Sequence, residues 1–72
     1  MEIKVQVGET AGTIWQLLNS EGPQTLAEIK KKVNGTTELL NFAVGWLARE
    51  EKVDIIEGKK SLRVQQYLVQ LK

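Results

Sequence analysis

The sequence predicts an α+β fold in which three helices are followed by a small antiparallel sheet. Two observations support this prediction. Apolar residues recur at helical spacing in three segments between Thr10 and Glu51. A strand pattern begins at Val53 and runs into a charged turn, which is typical of a β-hairpin.

Length and composition limit what the chain can be. Its 72 residues predict one domain, residues 1–72. A chain of this size buries only about 60% of the surface that its unfolded form exposes. There is no cysteine for a disulfide or thiolate site, and ten Lys and Arg residues against nine Asp and Glu residues give a net charge of only +1. No apolar run approaches the roughly 20 residues of a membrane span, so we expect a soluble protein of a bacterial or archaeal cytoplasm.

The first twenty residues predict a strand and then a helix. Ile3, Val5 and Val7 alternate with polar residues, which is the period of a half-buried strand, so the first seven residues are expected to join the sheet. The first helix is expected over Thr10–Ser20, with Thr10 as its N-cap and Pro23 after its end. Its predicted apolar face consists of Ala11, Ile14, Trp15, Leu17 and Leu18.

The second and third helices form a pair around a tight turn. Thr25 and Glu28 have the spacing of a capping box, which predicts the start of the second helix. Gly35 supplies the left-handed conformation that usually ends a helix. The third helix is expected over residues 36–51 and has the widest apolar stripe of the chain. Its predicted buried residues are Leu39, Phe42, Ala43, Trp46 and Leu47, with Leu40, Val44 and Ala48 extending the stripe.

The C-terminal part predicts a hairpin with an irregular return. Val53–Ile56 begins a strand, and the residues that follow carry turn and charge signals. The apolar residues change parity between Val64 and Tyr67, so a regular strand cannot keep them on one face. A bulge or second turn is therefore expected near residues 65 and 66. A loop over residues 58–64 is the alternative.

Helix, tight turn, helix and hairpin in this order are the outline of a winged helix-turn-helix domain, which usually presents its second motif helix and its hairpin to DNA. Three segments also resemble a family of small, largely uncharacterised bacterial and archaeal proteins of this fold. They are GETAGTIWQLLN from residue 8, LAEIKKKVNG from residue 26 and VGWLAREEKV from residue 44. The similarity covers residues 8–56, and the family usually ends sooner after the first wing strand than this chain does. The resemblance implies a DNA-binding or protein-binding role and no catalytic residue, cofactor or known ligand.

Catalysis is not expected. The chain contains no His and no Cys, which removes the commonest general base, the commonest thiol nucleophile and the soft metal ligands. Glu50, Glu51 and Asp54 are close in sequence but lie among Arg49 and Lys52, so a solvated, ion-paired helix end explains them better than an active site. The six glycines form no phosphate-binding spacing. We therefore predict no enzyme activity, no metal, no cofactor and no small-molecule substrate.

Double-stranded DNA is the first predicted partner. The third helix offers four polar residues to a groove: Thr36, Thr37, Asn41 and Arg49. The wing offers three cations to phosphates: Lys59, Lys60 and Arg63. Asn41 suits a bidentate contact with adenine, and Arg49 suits guanine or a phosphate, but Glu38 on the same side has the wrong sign for a DNA backbone.

A protein-interaction module that binds another protein or a second copy of the chain, and no DNA, is the alternative. Leu40 and Val44 lie at the edge of the third helix's stripe, and they form an apolar patch if they are exposed. The low net charge and Glu38 favour this hypothesis.

Three further features have structural explanations. Trp15 and Trp46 lie on apolar stripes and are expected in the core. Gly45 is expected to leave room for Trp15 against the third helix. The cations Lys30–Lys32 can reach phosphates, but positive charge in a last helical turn also favours the helix dipole, which is the preferred interpretation.

Overall fold

A computed structural model describes residues 2–58 and 67–72 of the chain. The elements are helix α1 (Ile3–Glu21), strand β1 (Gln24–Thr25), helix α2 (Leu26–Lys32), helix α3 (Thr37–Arg49), strand β2 (Val53–Glu57) and strand β3 (Tyr67–Leu71). The strands form one antiparallel sheet in the order β1-β3-β2. This arrangement confirms the predicted α+β, winged-helix architecture.

The predicted N-terminal strand is wrong, because residues 3–7 form the first turns of α1. Two amides of the first turn donate to the carbonyl of Glu2, at 3.1 and 3.2 Å, so the helix begins there and not at Thr10. The reason is the helical period. Val7 lies four residues before the buried Ala11 and packs against the core from the same face of the helix.

A glycine ends α1, and the predicted capping box begins α2. Gly22 has a φ of 81°, and its amide donates to the Leu18 carbonyl at 2.9 Å. The Thr25 hydroxyl accepts from the Glu28 amide at 3.1 Å, while the Glu28 carboxylate accepts from the Thr25 amide at 2.8 Å. These bonds satisfy backbone amides that the start of a helix would otherwise leave unpaired.

The helix α3 begins at a threonine cap and ends in a left-handed turn. The Thr36 hydroxyl accepts from the Leu39 amide at 3.1 Å, which makes Thr36 the N-cap. Gly35 has a φ of 144°, and a Cβ there would lie 3.5 Å from the Leu39 side chain. At the other end Glu51 has a φ of 58°, and the Lys52 amide donates back to the last turn at 2.9 Å. This is the bond pattern of a Schellman-type helix end.

The two strands of the predicted hairpin are confirmed. Val53–Glu57 pairs with Tyr67–Leu71 along its whole length, so β3 is the central strand. The other edge of β3 holds β1, which the sequence did not predict because two residues leave no periodic signal. The predicted bulge at residues 65 and 66 lies outside the described residues, as does the alternative loop apart from Gly58.

The buried stripe of α3 is rotated from the predicted one. Leu40 and Val44 are only 1% and 3% exposed, whereas Phe42 and Trp46 are 57% and 42% exposed. At about 100° per residue, the centre of the buried face lies roughly 80° from the predicted centre. The predicted interaction patch of Leu40 and Val44 is therefore wrong, because packing against the other elements places both side chains in the core.

Two further predictions about the core are also wrong. Trp15 is 38% exposed, because it lies one residue, or about 100°, beyond the buried Ile14 on α1. Gly45 does not make room for an indole, since a Cβ there would meet no described atom within 4 Å. The buried apolar side chains are Ala11, Ile14, Leu18, Ile29, Val33, Leu40, Ala43, Val44, Leu47, Val53 and Val69.

Candidate nucleic-acid interface

Helix α3 is the element that this fold usually presents to a partner. Its four predicted contact residues are all exposed: Thr36, Thr37, Asn41 and Arg49. The Thr36 oxygen accepts the capping bond from Leu39, which leaves the hydroxyl proton available for a phosphate. Arg49 makes no ion pair or hydrogen bond through its side chain with another described residue, so its guanidinium is available to a ligand.

Two other side chains change the character of this helix face. Glu38 and Phe42 are also exposed, and Phe42 is 57% exposed. At about 100° per residue, Glu38, Phe42 and Arg49 project within roughly 40° of one another. Glu38 has a local explanation, because an acid in the first turn interacts favourably with the helix dipole. The outward face of α3 therefore combines one cation with an acid and a phenyl ring.

The predicted wing is the connection between β2 and β3. Glu57 and Tyr67 are the last paired residues of these strands, and residues 58–66 connect them. Lys59, Lys60 and Arg63 lie outside the described residues. In the sequence, residues 59–66 contain these three cations and no acid, while the rest of the chain has seven Lys and Arg residues against nine Asp and Glu residues, a formal charge of −2. The excess positive charge of the chain thus belongs to this connection.

The cations at the end of α2 have a different setting. The Lys32 ammonium lies 3.0 Å from the Glu21 carboxylate and 2.9 Å from the side-chain oxygen of Gln24, so it links the ends of α1 and α2. Lys30 and Lys31 are exposed in the last turn, where positive charge favours the helix dipole. This arrangement supports the structural interpretation of the cluster.

Glu51, which follows α3, and Asp54, which lies in β2, both form ion pairs with the C-terminal residue. The Lys72 ammonium is 3.9 Å from Glu51 and 3.8 Å from Asp54. Within residues 2–58 and 67–72, no group of His, Cys, Asp or Glu side chains is arranged to hold a metal ion. In the same part of the chain, no helix is long and apolar enough to cross a membrane.

One side of α1 and the exposed side of α3 form an apolar surface that the sequence interpretation missed. We call it the α1–α3 surface. Its large exposed side chains are Ile3, Trp15, Phe42 and Trp46, with exposed fractions of 53%, 38%, 57% and 42%. A signal for it was present in the sequence, because Phe42 and Trp46 lie four residues apart and therefore share one helix face.

Trp46 lines two open grooves of the α1–α3 surface. One has a volume of about 430 Å³ and also contains Gly8, Gly12 and Trp15. The other has a volume of about 410 Å³ and also contains Ile3, Lys4, Val7 and Phe42. The indole of Trp46, which is 42% exposed, therefore lies beside both grooves.

Comparison with known proteins agrees with this architecture. The profile of the family described as "Winged helix-turn-helix domain (DUF2582)" matches residues 1–66. An uncharacterised protein of Methanocaldococcus jannaschii is 38% identical over 58 residues, which cover 76% of this chain and 81% of that protein. No solved structure gives a significant match. The predicted resemblance to small uncharacterised winged-helix proteins is confirmed, and the chain belongs to the winged helix-turn-helix family DUF2582.

Proposed function

We propose that the protein is a DNA-binding winged-helix domain with a regulatory role, and that it holds duplex DNA mainly through its wing. The observation that carries the proposal is the charge distribution. The connection between Glu57 and Tyr67 contains three cations and no acid at positions 59–66, whereas the rest of the chain has a formal charge of −2. A wing projects from the body of this fold and commonly reaches the DNA backbone.

The affinity in this proposal comes from phosphates. Lys59, Lys60 and Arg63 release condensed counterions when they neutralise phosphates, so binding weakens steeply as salt rises. Three such contacts give modest affinity, which fits a chain whose net charge is only +1.

Helix α3 has a smaller role in this proposal. Asn41 and Arg49 are exposed and can contact base edges or phosphates, and the Thr36 and Thr37 hydroxyls can donate to the backbone. Glu38 and Phe42 on the same face limit how closely the helix can follow a DNA groove. We therefore propose that α3 supports the orientation of the domain on DNA while the wing supplies most of the binding energy.

The proposed role needs no catalytic group, cofactor or metal, and it implies a cytoplasmic protein that acts on the chromosome.

The rival hypothesis, a module that binds protein and not DNA, loses Leu40 and Val44 as its contact residues because both are buried. The charge distribution favours DNA as the ligand of the wing.

A titration of isotope-labelled protein with a generic duplex, followed by amide chemical shifts at two salt concentrations, tests the proposal. We expect salt-sensitive shifts at the wing and at the ends of the strands that carry it, with smaller shifts on the exposed face of α3. Lys30 and Lys31 provide the internal reference, because their amides should not move. Nonspecific binding typically has a Kd of roughly 10⁻⁴ to 10⁻⁶ M, so the absence of shifts at low salt would exclude DNA as the ligand.

A further inference from the structure

The α1–α3 surface exposes three aromatic rings. Trp15, Phe42 and Trp46 are 38%, 57% and 42% exposed, although one adjacent residue of each is buried. A large aromatic side chain buries roughly 150–250 Å² when it is fully covered, so these three rings leave on the order of 250–300 Å² of apolar area in contact with water. This area is comparable to the largest apolar patch of a typical monomer, which is often a functional surface.

The N-terminal end of α1 extends the same surface. Ile3 lies four residues before Val7 and continues the buried stripe of the helix, yet Ile3 is 53% exposed. The groove of about 410 Å³ lies between this end of α1 and the rings of Phe42 and Trp46. The apolar stripe of α1 is therefore longer than the body that covers it.

We propose that the α1–α3 surface is the contact between two copies of this chain related by a two-fold axis. A two-fold interface must be complementary to itself, because the same patch lies on both sides. This surface meets that condition, since it contains both a projecting ring, Trp46, and hollows of about 430 and 410 Å³ beside it. The indole of each copy can occupy a groove of the other.

The charges around the surface favour a second copy as the occupant. Lys4 and Lys52 are the charged residues of the two groove linings, and Glu38 lies one turn before Phe42 on α3. Each copy thus brings both a cation and an acid to the contact. With a net charge of +1 per chain, two copies approach without strong repulsion.

The area is of the right order for a dimer. Each partner of a standard protein interface contributes roughly 800 Å². The three aromatic rings supply about a third of that area, and Ile3, Val7 and the glycine-lined floor of the larger groove add to it. Tryptophan and phenylalanine are also enriched in interface cores. Phe42 also projects near Arg49 on α3, so a dimer would cover part of the helix face that is offered to DNA. Self-association is measured without DNA, so its outcome does not depend on DNA binding.

Sedimentation equilibrium of the full chain without DNA, over a wide range of concentration, tests the proposal. We expect the mass to rise from 8.1 kDa towards twice that value as concentration increases. Ile3→Glu and Phe42→Ala should each shift the dissociation constant at least tenfold towards monomer. Both residues are more than half exposed, so circular dichroism should show an unchanged fold.

Ile55→Ala and Ile56→Ala on β2 are matched controls, because these residues are 43% and 42% exposed but lie on the edge strand of the sheet. They should dimerise like the natural chain. A chain that remains monomeric at every concentration would overturn the proposal. So would a dimer that survives both α1–α3 variants, or one that is lost only in the β2 controls.

Discussion

The Thr25 hydroxyl and the Glu28 carboxylate each accept a hydrogen bond from the other residue's backbone amide, at 3.1 and 2.8 Å. Helix α2, which they begin, has only seven residues. Isolated helices shorter than roughly 12–15 residues are marginal in water, so α2 depends on this cap and on the burial of Ile29.

Replacing the cap residue should weaken the fold. Thr25→Ala removes the oxygen that accepts from the Glu28 amide, and we expect a loss of about 1 kcal/mol in the free energy of unfolding. Thr25→Ser keeps that oxygen and should stay close to the natural chain. Urea unfolding of the three proteins measures the difference, and equal midpoints for Thr25→Ala and Thr25→Ser would contradict the role of the cap.

The same pair sets a pH dependence. Hydrogen bonds from the backbone amide of Thr25 and then from its side chain hold the pKa of Glu28 below its ordinary value, with a smaller contribution from the charges of Lys32 and Lys31. The carboxylate form is thus favoured in the folded state. The resulting stabilisation is present above the pKa of the unfolded chain and is lost as the pH falls through the lower folded pKa.

Carboxyl chemical shifts of Glu28 during an acid titration measure this effect. We expect a midpoint below the ordinary value for a glutamate, and we expect Thr25→Ala to raise it. A Glu28 midpoint that is ordinary in the natural chain, or unchanged in the variant, would contradict the assignment.

The orientation of α3 can be tested by two truncations. Leu40→Ala removes a side chain that is 1% exposed, and it should cost about 2–5 kcal/mol, enough to unfold a chain of marginal stability. Phe42→Ala removes a larger side chain that is 57% exposed and should cost much less. Denaturant unfolding measures the free energy of unfolding of both variants. A greater loss of this free energy in Phe42→Ala would show that the buried face of α3 had been assigned wrongly.

Gly45 should tolerate a side chain. It is exposed within α3, and a Cβ there would meet no described atom within 4 Å, so Gly45→Ala should stabilise the protein by about 0.5–1 kcal/mol through helix propensity. Gly35→Ala is the opposing control, because a φ of 144° makes any L side chain strained there. Thermal unfolding should give Gly45→Ala a higher Tm than the natural chain and Gly35→Ala a lower one. A destabilised Gly45→Ala would instead reveal a close neighbour.

Local signals allowed correct prediction of several elements. The capping box of Thr25 and Glu28 and the strand that starts at Val53 depend on residues within a few positions of one another, so the sequence predicted both. The exposure of Asn41 and Arg49 was also predicted correctly, because the polar residues of α3 fall on one side.

Packing decided what the sequence could not. Eight of the ten residues from Leu39 to Ala48 are apolar, and so wide an arc does not indicate which part of it the rest of the protein covers. The Leu40 side is buried and the Phe42 side is exposed, and this choice determines both the core and the α1–α3 surface. At the N-terminus, alternation over Ile3–Val7 resembled a strand, but the longer helical stripe through Ala11 prevailed.

Two charge-matched double variants determine whether the wing holds DNA. Lys59→Gln with Lys60→Gln removes two wing cations, and Lys30→Gln with Lys31→Gln removes two exposed cations from the last turn of α2. The measurement is duplex affinity as a function of salt. We expect the wing variant to bind more weakly and to reduce the slope of log K against log salt by about 0.9 for each lost phosphate contact, while the α2 variant keeps the natural slope. Equal losses of affinity in both variants, or a larger loss in the α2 variant, would show that the wing does not hold the DNA.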